Sequence, residues 1–237
     1  MKNGTIFCPN CGTTHNIVIL DQPPQTVKLI HASEVNTDWI LIKKAIMNGD
    51  AASVLSIGDK ITTVLKDGQT VQFTVAAINP YGENEVAFVM EDCLAADSVM
   101  NAECHNKGGW YGSDLRTKLN TEILALLPDE LVAVIKPRQI VQKHKGDTFT
   151  SVDKLWVPSQ TEMFGGENEV DQGDVHFPLF STPKSRVKNR NGEWEWYWTR
   201  TPRASSSTYF CLVTNNGGSG SYGGANGSHG VAFGFLI

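Results

Sequence analysis

The clearest pattern of hydrophobic and polar positions is in the middle of the chain. Leu115, Leu119 and Ile123 recur every four residues, which places them on one face of a helix. Ser113 precedes this apolar stripe at the position of a helix N-cap. A second short helix is predicted from Asp129 to Ile135, between two prolines. Both helices are expected to pack their apolar faces against a sheet.

Short β-branched and alternating runs predict strands over much of the remaining chain. The pattern is that of β-structure from about Val27 to Cys93, with an Asp-Gly hairpin turn at Lys66–Gln69. Residues Gln139 to Val157 return to this pattern, with a turn at Lys143–Asp147. The segment Trp39–Ile46 fits a short helix and a strand equally well. These elements together predict an α+β protein.

A tryptophan-rich run is predicted to form a single strand from Glu193 to Thr199. Alternation along a strand would place Trp194, Trp196 and Trp198 on one face. A face with three indole rings has to be covered, so we expect these rings in the core and not in a ligand platform.

The last forty residues carry a polar run between two apolar segments, Tyr209–Val213 and Gly230–Ile237. The run is rich in Gly, Ser and Asn and has almost no charge. It has too few aliphatic residues to form a core of its own. It is therefore either a flexible loop or a binding surface that a rigid scaffold supports.

Composition limits the classes of partner. A net charge of −5 gives no electrostatic footprint for nucleic acid or an anionic membrane. No apolar run approaches the roughly 18 residues that a bilayer-spanning helix needs, so we expect no membrane insertion. The N-terminal sequence lacks the apolar core of a signal peptide. We therefore expect synthesis in a bacterial cytoplasm without a signal peptide.

Cysteines and histidines give one candidate metal motif. Cys8 and Cys11 form a CxxC knuckle, followed by His15, and this is half of a tetrahedral zinc site. No second CxxC completes it, and the candidate ligands elsewhere are distant in sequence: Cys93, Cys104 and His105. The alternatives are a zinc-ribbon adaptor and a pair of free thiols, and we favour the second. We expect no metal and no cofactor.

Carboxylates are concentrated in an irregular stretch from Glu162 to Arg190. Glu167, Glu169, Asp171 and Asp174 could suggest calcium, which takes several oxygen ligands. Their spacing is not that of an EF-hand loop. A solvated acidic loop is the favoured interpretation.

Several separated motifs match one family. They are Gly108-Gly109-Trp110, Ser113-Asp114-Leu115-Arg116 with Leu119-Asn120, Leu127-Pro128, Asp153–Ser159 with Glu162, Trp196–Pro202, and Gly230-Val231. The set resembles a family of bacterial and phage proteins of uncharacterised biochemistry, with the patterns GGW..S.LR..LN, D.LFLLS..E, WWLRSP and GVRPA. The resemblance covers roughly residues 100 to 237. It implies a C-type-lectin-like fold, as in formylglycine-generating-enzyme-like domains and the variable proteins of diversity-generating retroelements.

One departure from the family pattern lies in the closing motif. Where the family has GVRPA, this chain has Gly230-Val231-Ala232-Phe233-Gly234, so the Arg and the Pro are missing. The family Arg is expected to fix the terminal strand. Its absence puts the packing of that strand in question.

The predicted organisation has three parts. Residues 1–26 form a CxxC segment and linker, residues 27–99 a β-rich N-terminal region, and residues 100–237 a C-type-lectin-like ligand-binding domain. The expected architecture is thus α+β with a formylglycine-generating-enzyme-like C-terminal domain.

The polar run has the composition of a paratope, in which Tyr gives rigid contact area and small polar residues adapt their hydrogen bonds. The predicted ligand-binding residues are Arg203, Ser205, Ser206, Ser207, Tyr209, Asn215, Asn216, Ser219, Ser221, Tyr222, Asn226, Ser228 and His229. We expect residues 203 to 232 to bind a protein or glycan receptor on a cell surface. Through the resemblance, a virion-associated phage tail or adhesion protein is implied, with a diversified surface and assembly as a homo-oligomer.

An enzyme is the alternative. The resemblance to formylglycine-generating enzymes implies an oxidase that uses Cys211, with His229 as the nearest histidine in sequence. A cysteine in an apolar strand is usually inert, and the matching second cysteine is absent. We therefore expect no catalysis and no catalytic residues.

Overall fold

The computed structural model describes residues 2–7, 14–19, 38–166 and 169–237, with only the backbone given for the first two segments. Lys2–Phe7 (β1) and Thr14–Ile19 (β2) form an antiparallel ribbon. The CxxC cysteines, Cys8 and Cys11, lie outside the described residues. The prediction of a zinc-free knuckle therefore stays a prediction. Elsewhere the chain combines short helices with small antiparallel sheets, which confirms the α+β class.

Two helices precede the first large sheet. They are Trp39–Met47 (α1) and Ala51–Val54 (α2). Asp38 caps α1, because its carboxylate accepts hydrogen bonds from the amides of Ile40 and Leu41 at 3.0 and 3.1 Å. The segment Trp39–Ile46, which the sequence left open between a helix and a strand, is helical, because the buried side chains of α1 are spaced as one helix face. Helix α2 departs from the predicted β pattern.

A four-stranded antiparallel sheet follows. Its strands are Lys60–Val64 (β3), Thr70–Ile78 (β4), Val86–Met90 (β5) and, from the other end of the chain, Gly234–Leu236 (β14). Their order is β14-β5-β4-β3. The Asp-Gly turn between β3 and β4 is confirmed, with Gly68 at φ 89° and the Asp67 carboxylate accepting from the Gln69 amide at 3.0 Å.

The terminal strand is fixed without the family arginine. Backbone hydrogen bonds join β14 and its flanks to β5 on one side. On the other side, the Gly234 amide donates to the Trp156 carbonyl at 2.7 Å, and Lys136 bridges Leu236. The strand is therefore held on both edges, and Ala232 in place of Arg leaves it fully buried.

Four aromatic rings make the centre of the core. Phe235 of β14 stacks on Phe88 at 5.4 Å and meets Phe73 edge-on at 4.9 Å, while Trp39 of α1 covers them. All four side chains are buried. Because β14 belongs to the predicted C-terminal domain, the predicted N-terminal region and that domain share this core.

The central helical segment begins where it is predicted. It comprises Asp114–Lys118 (α3), a π-helical turn Leu119–Ile123, Leu124–Leu126 (α4) and, after Pro128, Asp129–Val134 (α5). The Ser113 hydroxyl caps α3 by accepting from the Arg116 amide at 3.2 Å. The π-helical turn was not predicted, but it keeps the predicted apolar stripe buried.

A second sheet has the order β7-β6-β8. It comprises Arg138–His144 (β6), Asp147–Asp153 (β7) and Asp171–Gln172 (β8). The predicted turn is confirmed between β6 and β7, where Lys145 and Gly146 have positive φ. The short helix Gln160–Phe164 (α6) lies between β7 and β8. A 3-10 turn at Pro178–Phe180 and the short helix Pro183–Arg186 (α7) connect this sheet to the next.

The tryptophan run is not one strand. It is divided between a small hairpin, Asn189–Arg190 (β9) with Glu193–Trp194 (β10), and a three-stranded sheet of Tyr197–Pro202 (β11), Tyr209–Val213 (β12) and Ser221–Gly224 (β13). Between them, Glu195 turns back to pair with Arg190 at 2.5 Å. The side-chain alternation is therefore interrupted. Trp194 and Trp196 are 66% and 36% exposed and only Trp198 is buried, so the expectation of three core indoles is wrong.

No helix among the described residues has the length and apolar character needed to cross a bilayer.

Replacing Phe235 with Ala should lower the free energy of unfolding by about 3–5 kcal/mol, because it leaves a cavity among buried aromatic rings. Urea unfolding measures this cost. Met47→Ala, at a side chain 56% exposed, is the control and should cost less than about 0.5 kcal/mol. Equal costs for the two variants would contradict the assignment of β14 to the centre of the core.

Candidate functional site

A buried ion cluster of four charged side chains includes a residue of β11, the strand that precedes the predicted binding surface. It consists of Arg138 on β6, Glu162 on α6, Arg200 on β11 and Asp174 in the loop that follows β8. Each carboxylate bridges both guanidinium groups, and Glu162 lies 2.5 Å from Arg138 and 2.6 Å from Arg200. The two positive and two negative charges balance, which is what buried charges require.

The electrostatics of the buried ion cluster follow from this arrangement. Burial alone would raise the pKa of Glu162, but Arg200 and Arg138 outweigh it and lower this pKa from 4.5 to about 2. Tyr81 closes the cluster by donating its hydroxyl to Glu162, and Arg138 lies 3.7 Å above the Tyr81 ring. The cluster is thus neutralised and enclosed, and it positions secondary-structure elements.

The acidic stretch is therefore not a solvated loop. Asp174 belongs to the buried ion cluster, and Asp171 is buried while accepting hydrogen bonds from Gln142 and Thr201. Burial and then the charge of Asp174 raise the pKa of Asp171 to about 6. The interpretation as solvated residues is wrong for both. Glu169 is exposed, and Glu167 lies outside the described residues.

Two buried side chains hold the Gly-Gly-Trp motif in place. The Gln142 carbonyl accepts from the Trp110 amide at 2.8 Å, and the Asp153 carboxylate accepts from the Trp110 indole at 3.0 Å. Asp153 also pairs with Arg116 at 2.7 Å. Gly109 has φ 55°, and a Cβ there would lie 2.7 Å from Gln142 Oε1, so this contact requires glycine. The motif residues therefore form scaffold contacts.

Asn106 holds the loop between β11 and β12. Its side-chain amide donates to the carbonyls of Ser206 and Tyr209 at 3.0 and 2.9 Å, and its backbone amide donates to Ser207 at 2.9 Å. Asn106 is fully buried. The loop that carries Ser205, Ser206 and Ser207 is thus fixed and not flexible.

We call Arg203, Tyr209 and Tyr222 the tyrosine face. Strand register pairs Tyr222 with Cys211 across β12 and β13, two positions from Tyr209, so both tyrosines project from the same side of the sheet. Each tyrosine is 40% exposed. The Arg203 guanidinium lies 3.8 Å from the centre of the Tyr222 ring, a cation–π geometry that orders both side chains.

The structure divides the other predicted ligand-binding residues between two ends of this sheet. At the end near the tyrosine face, the loops before β12 and after β13 carry Ser205, Ser206, Ser207, Asn226 and Ser228. At the opposite end, the hairpin tip between β12 and β13 carries Asn215, Asn216 and Ser219, and Ser221 begins β13. The predicted set therefore does not form one continuous patch.

His229 packs against the core residue Trp198. Its half-buried ring meets Trp198 edge-on at 4.8 Å, and burial lowers its pKa. Gly223 makes room for this packing, since a Cβ there would lie 2.8 Å from His229 Nε2.

Cys211 lies on the other face of β12 from His229. Phe210 contacts Trp198, against which His229 packs, and the adjacent Cys211 points to the opposite side. Burial raises the pKa of the Cys211 thiol to about 12. A neutral thiol without this histidine beside it is not an activated nucleophile, so the geometry does not favour the oxidase alternative.

Beside the loop that Asn106 holds is a pocket of about 700 Å³. Its walls include the rings of Tyr111 and Phe149, which stack at 6.2 Å and 19°. Its buried lining includes His144 and Asn106, and Ser207 connects it to the predicted surface. This volume is in the range of small-molecule sites.

The protonation of His144 follows from its partner. Because the Asn106 amide nitrogen donates to backbone carbonyls, its oxygen faces His144 Nε2 at 3.1 Å, so Nε2 carries the proton. Nδ1 then has a free lone pair, and no group in the described part of the chain donates to it. Burial and then Lys145 lower the pKa of His144, so the ring is neutral at pH 7.

The sequence reasoning missed this pocket. Tyr111 directly follows the Gly-Gly-Trp motif, which is a signal that could have been followed. His144 and Phe149, by contrast, flank an ordinary hairpin turn. Their proximity to Asn106 depends on strand packing that no local pattern encodes.

The chain was compared with known families and proteins. A family model described as "Domain of unknown function (DUF6273)" matches residues 84–237. Neither a curated protein nor a solved structure matches the chain.

Replacing Glu162 with Gln should destabilise the protein by about 3 kcal/mol at pH 7. The folded-state pKa of about 2 lies below the ordinary 4.5, so the carboxylate's contribution is present above pH 4.5 and is lost as the pH falls towards 2. Urea unfolding from pH 7 to pH 3 should therefore show the difference between wild type and variant shrinking in acid. The exposed Glu122→Gln is the control and should show no such trend. A cost independent of pH would contradict the role of the charge.

Proposed function

We propose that this chain, which belongs to the DUF6273 family of unknown function, is a ligand- or receptor-binding protein and not an enzyme. Its binding surface would be built on residues 203 to 232. Within them, the tyrosine face and the loops beside it form the part that contacts the ligand first.

The observation that carries this proposal is the order of the tyrosine face. Two half-exposed tyrosines and an arginine are fixed on one side of a sheet. Tyr and Arg are the residue types that contribute most binding energy at protein surfaces. Because Arg203 already lies over the Tyr222 ring, little side-chain entropy is lost when a ligand binds.

The support below the tyrosine face strengthens the proposal. Arg200 of the buried ion cluster precedes Arg203 by three residues on the same chain segment, and Asn106 fixes the loop that follows. A binding surface needs this kind of rigid support, because loosely held contact residues lose affinity.

A C-type-lectin-like fold for residues 100 to 237 is part of the proposal. Its support is topological. The terminal strand β14 pairs with β5 of the predicted N-terminal region, and β11, β12 and β13 form a separate sheet with its own loops. Such an arrangement separates the residues that stabilise the domain from those that bind.

We further propose a phage or prophage tail or adhesion protein as the biological setting, with a protein or glycan receptor on a bacterial cell as the partner. The small polar residues of the loops, Ser205, Ser206, Ser207, Asn226 and Ser228, support a diversified surface. Most of them are exposed, so substitutions there would leave the core unchanged. The same setting includes virion association and assembly as a homo-oligomer.

A variant with both Tyr209→Ala and Tyr222→Ala should bind a receptor at least tenfold more weakly than wild type. The labelled protein would be applied to intact bacterial cells and to a glycan array. Ile40→Ala, at a side chain 61% exposed on α1, is the matched control and should bind as wild type does. Equal binding by the double variant would contradict the assignment of the tyrosine face, provided that its circular dichroism spectrum is unchanged.

Near-identical sequences from one bacterial population should differ mainly within residues 203 to 232. The buried ion cluster and Asn106 should not vary, because their substitution leaves buried charges or carbonyls unpaired. Sequencing the gene and its surroundings tests this expectation. Substitutions spread evenly along the chain, with no neighbouring reverse transcriptase, would contradict the diversified surface.

A further inference from the structure

We propose that the outer strand β7 is a docking edge for β7 of a second copy of this chain. The two strands would run antiparallel about a two-fold axis at Thr150, and two three-stranded sheets would become one continuous sheet. The proposal rests on the proposed function in one respect only, since it gives an interface to the homo-oligomer named there. Its test does not depend on receptor binding.

The outer edge of β7 has backbone groups without partners. Lys145 and Gly146 form a two-residue turn with positive φ at both positions, so His144 and Asp147 are the first hydrogen-bonded pair of the β6–β7 ladder. Hydrogen-bonded and non-bonded pairs then alternate along the ladder. The residues of β7 that direct their amides and carbonyls away from β6 are therefore Thr148, Thr150 and Val152. In the described part of the chain, no backbone group bonds to this outer edge.

β7 lacks the features that protect outer strands in other proteins. A lysine, a proline, a bulge or a short length usually protects such a strand, and glycine weakens it. β3 and β13 are also outer strands, but β3 carries Lys60, and β13 has four residues, two of them glycine. β7 has seven residues, with neither lysine, proline nor glycine, and pairs with β6 without a bulge. Its edge is therefore open to the addition of a strand.

A second copy of β7 is the complement of this edge. In the antiparallel register centred on Thr150, this residue lies opposite itself, and Thr148 lies opposite Val152 of the other copy. β-Branched side chains directly opposite each other are favourable pairs in antiparallel sheets. Every outward amide of one copy then faces an outward carbonyl of the other.

The apolar side chains that this pairing would cover lie on both faces of β7. Val152 is 64% exposed on one face. On the other face, Phe149 stacks with Tyr111, which is 52% exposed. Exposed apolar patches mark protein–protein contacts. Their burial in the dimer would add hydrophobic contact to the backbone hydrogen bonds.

The carboxylates at the two ends of β7 are compatible with this register. Asp147 is exposed, and it would lie opposite Asp153 of the second copy. Asp153 is buried and already pairs with Arg116 at 2.7 Å. Asp147 would therefore meet a compensated charge with an arginine beside it. Two uncompensated carboxylates opposite each other would instead oppose the pairing.

Sedimentation velocity of the whole chain measures the association. Wild type should change from one chain to two as its concentration rises from about 1 μM to about 100 μM, because a single strand edge is a small interface. Thr150→Lys and Thr150→Glu should each raise the Kd of the dimer roughly tenfold or more, since the new charge faces itself across the two-fold axis. Thr150 is exposed, so the circular dichroism spectra of both variants should be those of the folded wild type.

A mixture of the two variants tests the symmetry of the pairing. Thr150→Lys and Thr150→Glu in equal amounts should form a mixed dimer, because opposite charges then meet at the axis. Gln139→Lys is the matched control. Gln139 is exposed on the same face of the sheet, on β6 opposite Val152, and this variant should dimerise as wild type does.

Amide hydrogen exchange identifies the backbone contact. Exchange at Thr148, Thr150 and Val152 should slow as the protein concentration rises, because these amides are bonded only in the dimer. The Phe149 amide faces β6 in every copy, and its exchange should change much less.

Three results would overturn the proposal. They are a wild type that stays monomeric throughout the concentration range, a dimer that Thr150→Lys leaves unchanged, and a mixture of the two charged variants that stays monomeric. Receptor binding by a monomeric wild type would remove the dimer and leave the tyrosine face in place. A dimer that binds no receptor would do the reverse, so the two proposals fail separately.

Discussion

The fold around the candidate site depends on the pairing of two arginines with two carboxylates out of contact with water. Arg138, Glu162, Asp174 and Arg200 come from three elements and a loop, and each carboxylate contacts both guanidinium groups. Because its charges are removed from water, a buried ion cluster stabilises the fold no more than well-packed hydrophobic residues of similar volume would. Its value is geometric, because the pairing is satisfied in only one relative position of β6, α6 and β11.

The motifs that resemble a known family belong to the same system of supports. The side chains of Trp110 and Arg116 both bond to the Asp153 carboxylate. The Gln142 side chain accepts from the Trp110 amide and donates to the backbone carbonyl of Arg200. The polar groups of these residues are thus bonded to other residues of the same chain. The exposed residues on the tyrosine face and in the pocket are free to differ in chemistry while the support stays the same.

Local sequence signals predicted the local structure. Ser113 predicted the start of α3, and Lys66–Gln69 and Lys143–Asp147 predicted hairpin turns, because caps and tight turns depend on neighbouring residues. The burial of Asp171 and Asp174 was not predictable in this way. Their partners come from β6 and β11, and an acidic run alone has the appearance of a solvated loop.

The same limit applies to the site. The composition of the polar run indicated the tyrosine face, including Tyr209 and Tyr222, because paratope-like chemistry is a property of composition. It could not separate the hairpin tip at Asn215 and Asn216 from the loops at the other end of the sheet. The exposure of Trp194 was also missed, because Trp194 belongs to the β9–β10 hairpin and not to β11.

The position of β14 in the sheet has a kinetic consequence. β5 is an inner strand of its sheet only when Gly234–Leu236 lie beside it. During synthesis, β3, β4 and β5 leave the ribosome long before that partner exists, and β5 presents an open, fully apolar edge. Pairing between distant segments is slow, and open edges promote aggregation. Nascent chains of this protein therefore pass through a period in which the edge of β5 is open to pairing with another chain.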